Sequence, residues 1–194
     1  MDIILASGSP RRSELMKQVG FDFKVSNCNT DESYNDGMTP AEIVMELSLR
    51  KADAVFDKEM PENDTVVVAA DTIVAIDNEI LGKPKDRNDA IRMLSELSGK
   101  KHQVYTGVTL YYYVGGRVFI ENFADCADVY FRQLSQDTIT SYVDSWEPMD
   151  KAGAYGIQGL GAILVDKIDG DYYTIVGLPI AKVYHSIKNN EKQN

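Results

Sequence analysis

Asp71 and Thr72 are the only polar residues in VVVAADTIVAI, residues 66–76. A lone carboxylate is costly to bury without a partner or a cation. An aspartate in such a run is therefore either hydrogen-bonded to a turn or placed for chemistry, as a metal ligand or as a general base at a strand end. A second stretch, ILASGSPRR at residues 4–12, leads an apolar segment into small residues, a proline and two arginines. The chain has a formal net charge of −10, so adjacent cations at one turn stand out. A strand, a small-residue turn and a helix N-terminus in succession aim free N–H groups and the positive end of the helix dipole at one point. Gly8 lets backbone come close to a ligand. Arg11 and Arg12 add forked donors that suit phosphate. The same residues also suit an ordinary helix start with two solvated arginines. The stretch is not a Walker loop, because GxxxxGK[ST] is absent.

Other polar residues have chemical potential of the same kind. LGKPKD sets Lys83 between a glycine and a proline, a rigid placement for a point charge, and Lys51 lies on the helix that follows a capping box. Each suits a phosphate contact, and each also suits an ordinary surface position. TDES supplies Asp31 and Glu32 in a polar loop, either a solvated acidic surface or a source of carboxylate ligands. DKAGAYGIQG spaces Asp150, Lys151, Tyr155 and Gln158 among Gly153, Gly156 and Gly159. There the glycines permit close approach of a ligand, and the Gln158 amide can read a base edge. A long polar loop in a compact domain is a common home for function. Tyr111 and Tyr113 alternate along a strand and are expected to pack rather than to stack on a base.

These groups need a scaffold, and the pattern supplies one. Asp2–Ala6 reads as a buried strand. Ser9 caps a helix from Pro10 to about Val19, with Leu15, Met16 and Val19 on one side. Phe21–Val25 alternates as a second strand, and residues 26–38 read as a loop. Thr39–Glu42 is a capping box opening a helix to about Phe56. Val66–Ile76 reads as a long strand returning through a turn at Asn78–Glu79 to Ile80–Leu81. Asp86 caps a helix to about Leu97. His102–Phe131 alternates on both sides of a Gly115–Gly116 hairpin turn. Ser135 caps a helix to about Ser145. A glycine-rich loop, a strand at Ile163–Ile168, a turn at Asp169–Gly170 and a helix opened by Pro179 complete the chain, and the tail KNNEKQN is expected to fray. The class is α/β with a mixed sheet.

Composition narrows the functions available. At 194 residues and 44% hydrophobic content the chain suits one domain with a sizeable core. No apolar run approaches the roughly 20 residues needed to span a bilayer. The start MDIILASGSPRR lacks the basic region of a signal peptide, so a cytoplasmic protein is expected. Cys28 and Cys126 form no CxxC, and His102 and His185 lie far apart, which argues against a disulfide framework or a histidine metal site. The acidic balance argues against binding a nucleic acid polymer. It leaves room for a small phosphorylated ligand, which needs only a local cluster of cations and N–H groups.

LASGSPRR, AADTIV, LGKPKD, LSGKKHQVYTGV, EPMDKAGAYGIQGLGA and VGLP occur here in the order found in the Maf family, the septum-formation-inhibitor-like proteins. The chain resembles that family from residue 3 to about residue 185, with no departure at the motif positions. The resemblance implies a single domain over residues 1–194. Its fold would be an elongated mixed sheet flanked by helices, with two lobes around a cleft, like that of the inosine triphosphatase group. It implies hydrolysis of a nucleoside triphosphate to the monophosphate and pyrophosphate with a divalent metal, Mg²⁺ or Mn²⁺. MDKAGAYGIQG together with Arg11 and Thr72 resembles the subgroup acting on dTTP and UTP, with modified pyrimidine triphosphates as further substrates. On that resemblance Asp71 is the general base. Arg11, Thr72 and Gln158 set specificity. Ser7, Arg12, Lys51 and Lys83 bind phosphate, and Glu32 joins Asp71 on the metal. Homodimers are common in the family. Two rival expectations stand beside this one: a non-catalytic nucleotide sensor regulating cell division, and an enzyme of the same fold with a purine substrate.

Overall fold

A computed structural model describes every residue except Asn78 and residues 192–194. Among the described residues there are seven strands: β1 (Asp2–Leu5), β2 (Lys24–Val25), β3 (Thr65–Ile76), β4 (Glu79–Leu81), β5 (Lys101–Val114), β6 (Arg117–Phe131) and β7 (Val165–Asp169). There are six α-helices: α1 (Pro10–Gln18), α2 (Pro40–Glu59), α3 (Arg87–Leu97), α4 (Gln136–Asp144), α5 (Tyr172–Val176) and α6 (Ile180–Glu191). The strands form one mixed sheet in the order β2-β1-β3-β5-β6-β7, with β4 paired to β3. The α/β class expected from the sequence is what forms. By its contacts the chain divides into two compact units: Met1–Asp71, Thr106–Asp125 and the segment from Gly177, and then Thr72–Tyr105 with Cys126–Val176. β3, β5 and β6 each contribute residues to both.

In the first unit β1 runs parallel to β2 and to β3, with Ile4 opposite Lys24 and Val67. Ile4, Ala6, Ala52, Val55, Val67 and Ala69 make a buried cluster, with Phe56 and Tyr111 packed on it. Those two rings lie 4.4 Å apart, so Tyr111 packs as the sequence suggests. The capping box forms: Thr39 Oγ1 accepts from the Glu42 N–H, and the Glu42 carboxylate accepts from the Thr39 N–H. α2 lies close on β5. Ser48 and Thr109 share a buried hydrogen bond of 2.9 Å, and a Cβ at Gly107 would stand 2.2 Å from the Val44 carbonyl oxygen. Only glycine permits that approach.

Two local readings are corrected. Ser9 occupies the N-cap of α1, but its side chain makes no capping bond. Its N–H instead donates to Ser7 Oγ at 3.2 Å. The second strand is two residues long rather than five. The Gly20 N–H donates to the Lys17 carbonyl and the Phe21 N–H to the Met16 carbonyl, with Gly20 at φ 80°. That is a Schellman closure of α1, and it uses the Phe21 donor that a longer strand would need.

In the second unit Leu81, Leu94, Leu97, Val129, Phe131, Tyr142 and Tyr155 belong to one large core. Asp86 caps α3 by accepting from the Asp89 N–H, and Ser135 caps α4 by accepting from the Thr138 N–H. β6 and β7 pair antiparallel with Val129 opposite Ile168. The turn read at Asn78–Glu79 includes one residue, Asn78, that lies outside the described residues. Residues 147–163, read as a glycine-rich loop, hold three short 3-10 turns, Glu147–Asp150, Ala152–Ala154 and Gly159–Ile163, so Ile163, read as the start of a strand, ends a turn, and β7 begins at Val165. α5 escaped the sequence reading because YYTIV has a strand's composition. Its signal was Asp171, whose carboxylate accepts from the Tyr173 N–H at 2.9 Å.

Candidate active site

Asp71 ends the first unit's part of β3 and is buried. Lys51, on α2, places Nζ 2.5 Å from Asp71 Oδ1 and 3.0 Å from Glu32 Oε1. One ammonium thus draws together two carboxylates 39 positions apart in sequence. Asp71 and Lys51 are largely enclosed, with 12% and 18% of their side chains exposed, whereas Glu32 is 59% exposed. The Glu32 loop is positioned by a residue the sequence reading missed. Arg50 donates to the carbonyls of Asp31 at 3.3 Å and Ser33 at 2.6 Å, on either side of Glu32, and its Nε is held by Glu46 one turn earlier. Asp31 folds the same loop by accepting from the Ser33 hydroxyl and N–H. Those bonds, the hydroxyl's first, hold its carboxyl below the usual range. Asp31 shapes the loop, and Glu32 reaches the cluster.

The SGSPRR turn belongs to the same unit. Arg12 is not a solvated cation. Nε donates to the Gly177 carbonyl at 2.8 Å and Nη1 to Ser7 Oγ at 3.2 Å. Burial lowers its pKa from the ordinary guanidinium value and Arg11 adds to that, while the charges of Asp71 and Glu32 act in the opposite sense. The guanidinium therefore sits desolvated within electrostatic reach of Asp71, Glu32 and Arg11, with buried Ser7 beside it. Of the residues singled out in the sequence, Ser7, Arg11, Arg12, Glu32, Lys51 and Asp71 are drawn together here. No group of three or more His, Cys, Asp or Glu suited to a metal occurs among the described residues. The two carboxylates meeting on one ammonium nevertheless show that they can converge on a single cation. Mg²⁺ commonly binds through one or two protein carboxylates plus substrate phosphates and waters, so the donor set fits such an ion.

Thr72, Lys83 and Gln158 belong to the second unit. Thr72 is half-buried, and Lys83 and Gln158 are exposed. The turn carrying Lys83 is tied to the glycine-rich segment, since the Gly153 N–H donates to the Gly82 carbonyl at 3.0 Å. Gln158 directly precedes the 3-10 turn Gly159–Ile163. Glu147 organises this segment and was missed as a site residue. Its carboxylate accepts from the Tyr142 hydroxyl at 3.0 Å, the Leu160 N–H at 3.0 Å and the Gly161 N–H at 3.2 Å. Tyr142 Oη in turn accepts from the Gly156 N–H at 3.1 Å. Burial pushes the Glu147 pKa up, but these three bonds and the charge of Lys151 outweigh it, and the net shift is downward. Lys151 Nζ bonds the Glu147 carbonyl at 2.5 Å and the Asp150 carboxylate at 2.7 Å.

This network changes the reading of the glycines. A Cβ at Gly161 would lie 1.9 Å from the Gly156 carbonyl oxygen, and one at Gly159 would lie 2.7 Å from Glu147 Oε2. One at Gly156 would meet Lys151 Cε at 2.9 Å. Gly161, against backbone, and Gly159, at φ 66°, are required by the segment's own closure, whereas the lysine at Gly156 can move aside. In the core beneath, His102 Nε2 lies 2.7 Å from the buried Tyr155 hydroxyl, and Nδ1 has no hydrogen-bond partner among the described residues. Burial lowers the imidazole pKa to about 4, against a weaker opposing pull from Asp128.

A carboxylate, a lysine and a desolvated arginine at a helix N-terminus are thus carried on a mixed α/β sheet. The chain belongs to the Maf family: the Maf-like protein family matches residues 2–190. A dTTP/UTP pyrophosphatase of Bacillus velezensis is 48% identical over 187 residues, covering 96% of this chain and 95% of that protein. A dTTP/UTP pyrophosphatase of Acetivibrio thermocellus is 46% identical over 191 residues, covering 96% and 94%. The solved structure of the Staphylococcus aureus Ham1 protein aligns over 68% of this chain and 72% of its own, with 14% identity and a TM-score of 0.44. Among the described residues no helix is long and apolar enough to cross a membrane.

Proposed function

We propose that the chain hydrolyses dTTP and UTP, and modified pyrimidine triphosphates with them, to the monophosphate and pyrophosphate. The observation that carries this reading is the Asp71–Lys51–Glu32 bridge beside the desolvated Arg12. A carboxylate able to take a proton lies among cations able to hold phosphate oxygens. The names of the two pyrophosphatases support the choice of base and of scissile bond.

In this reading Arg12, Ser7 and Lys51 hold the triphosphate, so catalysis is mainly positioning and stabilisation of charge on the leaving pyrophosphate. Asp71 accepts the proton of the attacking water through a carboxylate oxygen. Asp71 and Glu32 would hold Mg²⁺ or Mn²⁺, which when bound neutralises phosphate charge and makes a coordinated water more acidic. The choice of base is assigned to Arg11, Thr72 and Gln158 on the resemblance alone. Gln158 brings an amide that can both donate and accept.

The test is product analysis across a panel of purine and pyrimidine triphosphates with Mg²⁺, with Mn²⁺ and without metal, for the native chain and for Asp71→Asn. The expected result is pyrophosphate from dTTP and UTP, little from purines and none without metal. Asp71→Asn should keep its fold and lose about 10²–10⁴-fold in rate, the usual range for removing a general base. Orthophosphate as the product would reverse the placement of the triphosphate. Tight nucleotide binding with no turnover would make the chain a sensor.

A further inference from the structure

The ammonium of Lys51 stands between two carboxylates, 2.5 Å from Asp71 Oδ1 and 3.0 Å from Glu32 Oε1. All three groups belong to one unit. Asp71 and Lys51 are mostly enclosed, so their attraction is less screened than that of a surface pair. A divalent ion on those carboxylates would meet a like charge at very short range, where repulsion is large in a partly desolvated site. Lys51 and the ion therefore compete for the same oxygens. A triphosphate changes the balance, because it offers the lysine another anion.

We infer that Lys51 is a latch. In the free protein it occupies the Asp71–Glu32 pair and keeps a divalent cation out, and phosphate draws it away and opens the pair. The inference rests on the proposed reading of this site as the triphosphate site. Its consequence is that metal and nucleotide bind cooperatively, each strengthening the other by the same factor. The long, flexible lysine side chain suits this exchange between anions. A free protein so latched does not commit metal to the site before nucleotide arrives.

The experiment is binding of Mn²⁺ alone, without nucleotide, followed by the electron paramagnetic resonance signal of free Mn²⁺. It compares the native chain with Lys51→Met, Lys51→Gln and Lys58→Met, after melting curves have shown which variants are folded. Lys58 lies on the same helix, and its ammonium bonds Ser26 and Asn27 instead. Removing the Lys51 ammonium should tighten Mn²⁺ binding about tenfold, within the usual range for coupled sites, and Lys58→Met should change it little. Unchanged or weaker Mn²⁺ binding in both folded Lys51 variants would overturn the latch, and so would equal tightening by Lys58→Met. Failure of the functional reading looks different: the native chain would then release no pyrophosphate from any triphosphate, whatever the Mn²⁺ data show.

Discussion

The buried imidazole of His102 makes folding stability depend on acid in a way that can be worked through. Its folded pKa is lowered from 6.5 to about 4 by burial. Above the unfolded value both states are neutral, and the full stability is present. As pH falls below 6.5 the unfolded chain takes up a proton that the folded chain refuses, and stability is lost until the folded group also titrates near 4. A gap of about 2.5 units at about 1.36 kcal/mol per unit makes this loss about 3 kcal/mol. That is a large share of the roughly 5–15 kcal/mol of a typical domain. The site explains why the proton is refused. Nε2 is engaged with Tyr155, and Nδ1 has no partner among the described residues to take a second N–H. His102→Gln keeps a hydrogen-bonding side chain and removes the titration. Urea unfolding of both proteins between pH 7.5 and pH 4 can be followed by far-ultraviolet circular dichroism. The native chain should lose about 3 kcal/mol more than the variant over this range. Parallel stability profiles for the two proteins would refute the reasoning.

Three further outcomes are expected alongside the Asp71→Asn and Lys51 results. Glu147→Gln should cost about 1–3 kcal/mol at neutral pH, because three hydrogen bonds to a carboxylate weaken together. The folded pKa of Glu147 is lowered, so the native advantage should be full above the ordinary glutamate value of about 4.3 and disappear as pH falls through the folded value. Urea titrations at pH 7 and pH 3 check this. Tyr142→Phe combined with Glu147→Gln should cost less than the sum of the single changes, since both act on one network; a double-mutant cycle measures the shortfall. Gly107→Ala should destabilise by about 3 kcal/mol, because the new methyl must push α2 off β5. It should also lower pyrophosphate release, because α2 carries Lys51; thermal melts and product assays on the same preparation read both.

Much of the scaffold was legible because its signals are local. The Thr39–Glu42 box, the caps at Asp86 and Ser135 and the turn at Gly115–Gly116 each involve residues within a few positions of one another. Side-chain and backbone chemistry decide such features before any packing exists. The long alternation of β5 and β6 in sequence was equally clear, because successive side chains of a strand point to opposite faces. Where local signals compete, the reading failed. The Phe21–Val25 alternation lost its first donor to the closure of α1, and the strand-like YYTIV became α5 once Asp171 capped it.

The candidate site divides in the same way. The sequence by itself determined which groups are available: a carboxylate in an apolar strand, paired arginines at a helix start, and lysines and an amide in turn-rich segments. Only the tertiary structure decided which of them meet. Lys51 reaches Asp71 across 20 positions and Glu32 across 19, and Arg12 reaches the Gly177 carbonyl across 165. Glu147 holds Leu160 and Gly161, and Gly107 exists for the sake of Val44. None of these contacts has a local signature. Each arises when helices and strands dock and close loops of the chain, and the free energy that selects them comes from burying the surfaces between.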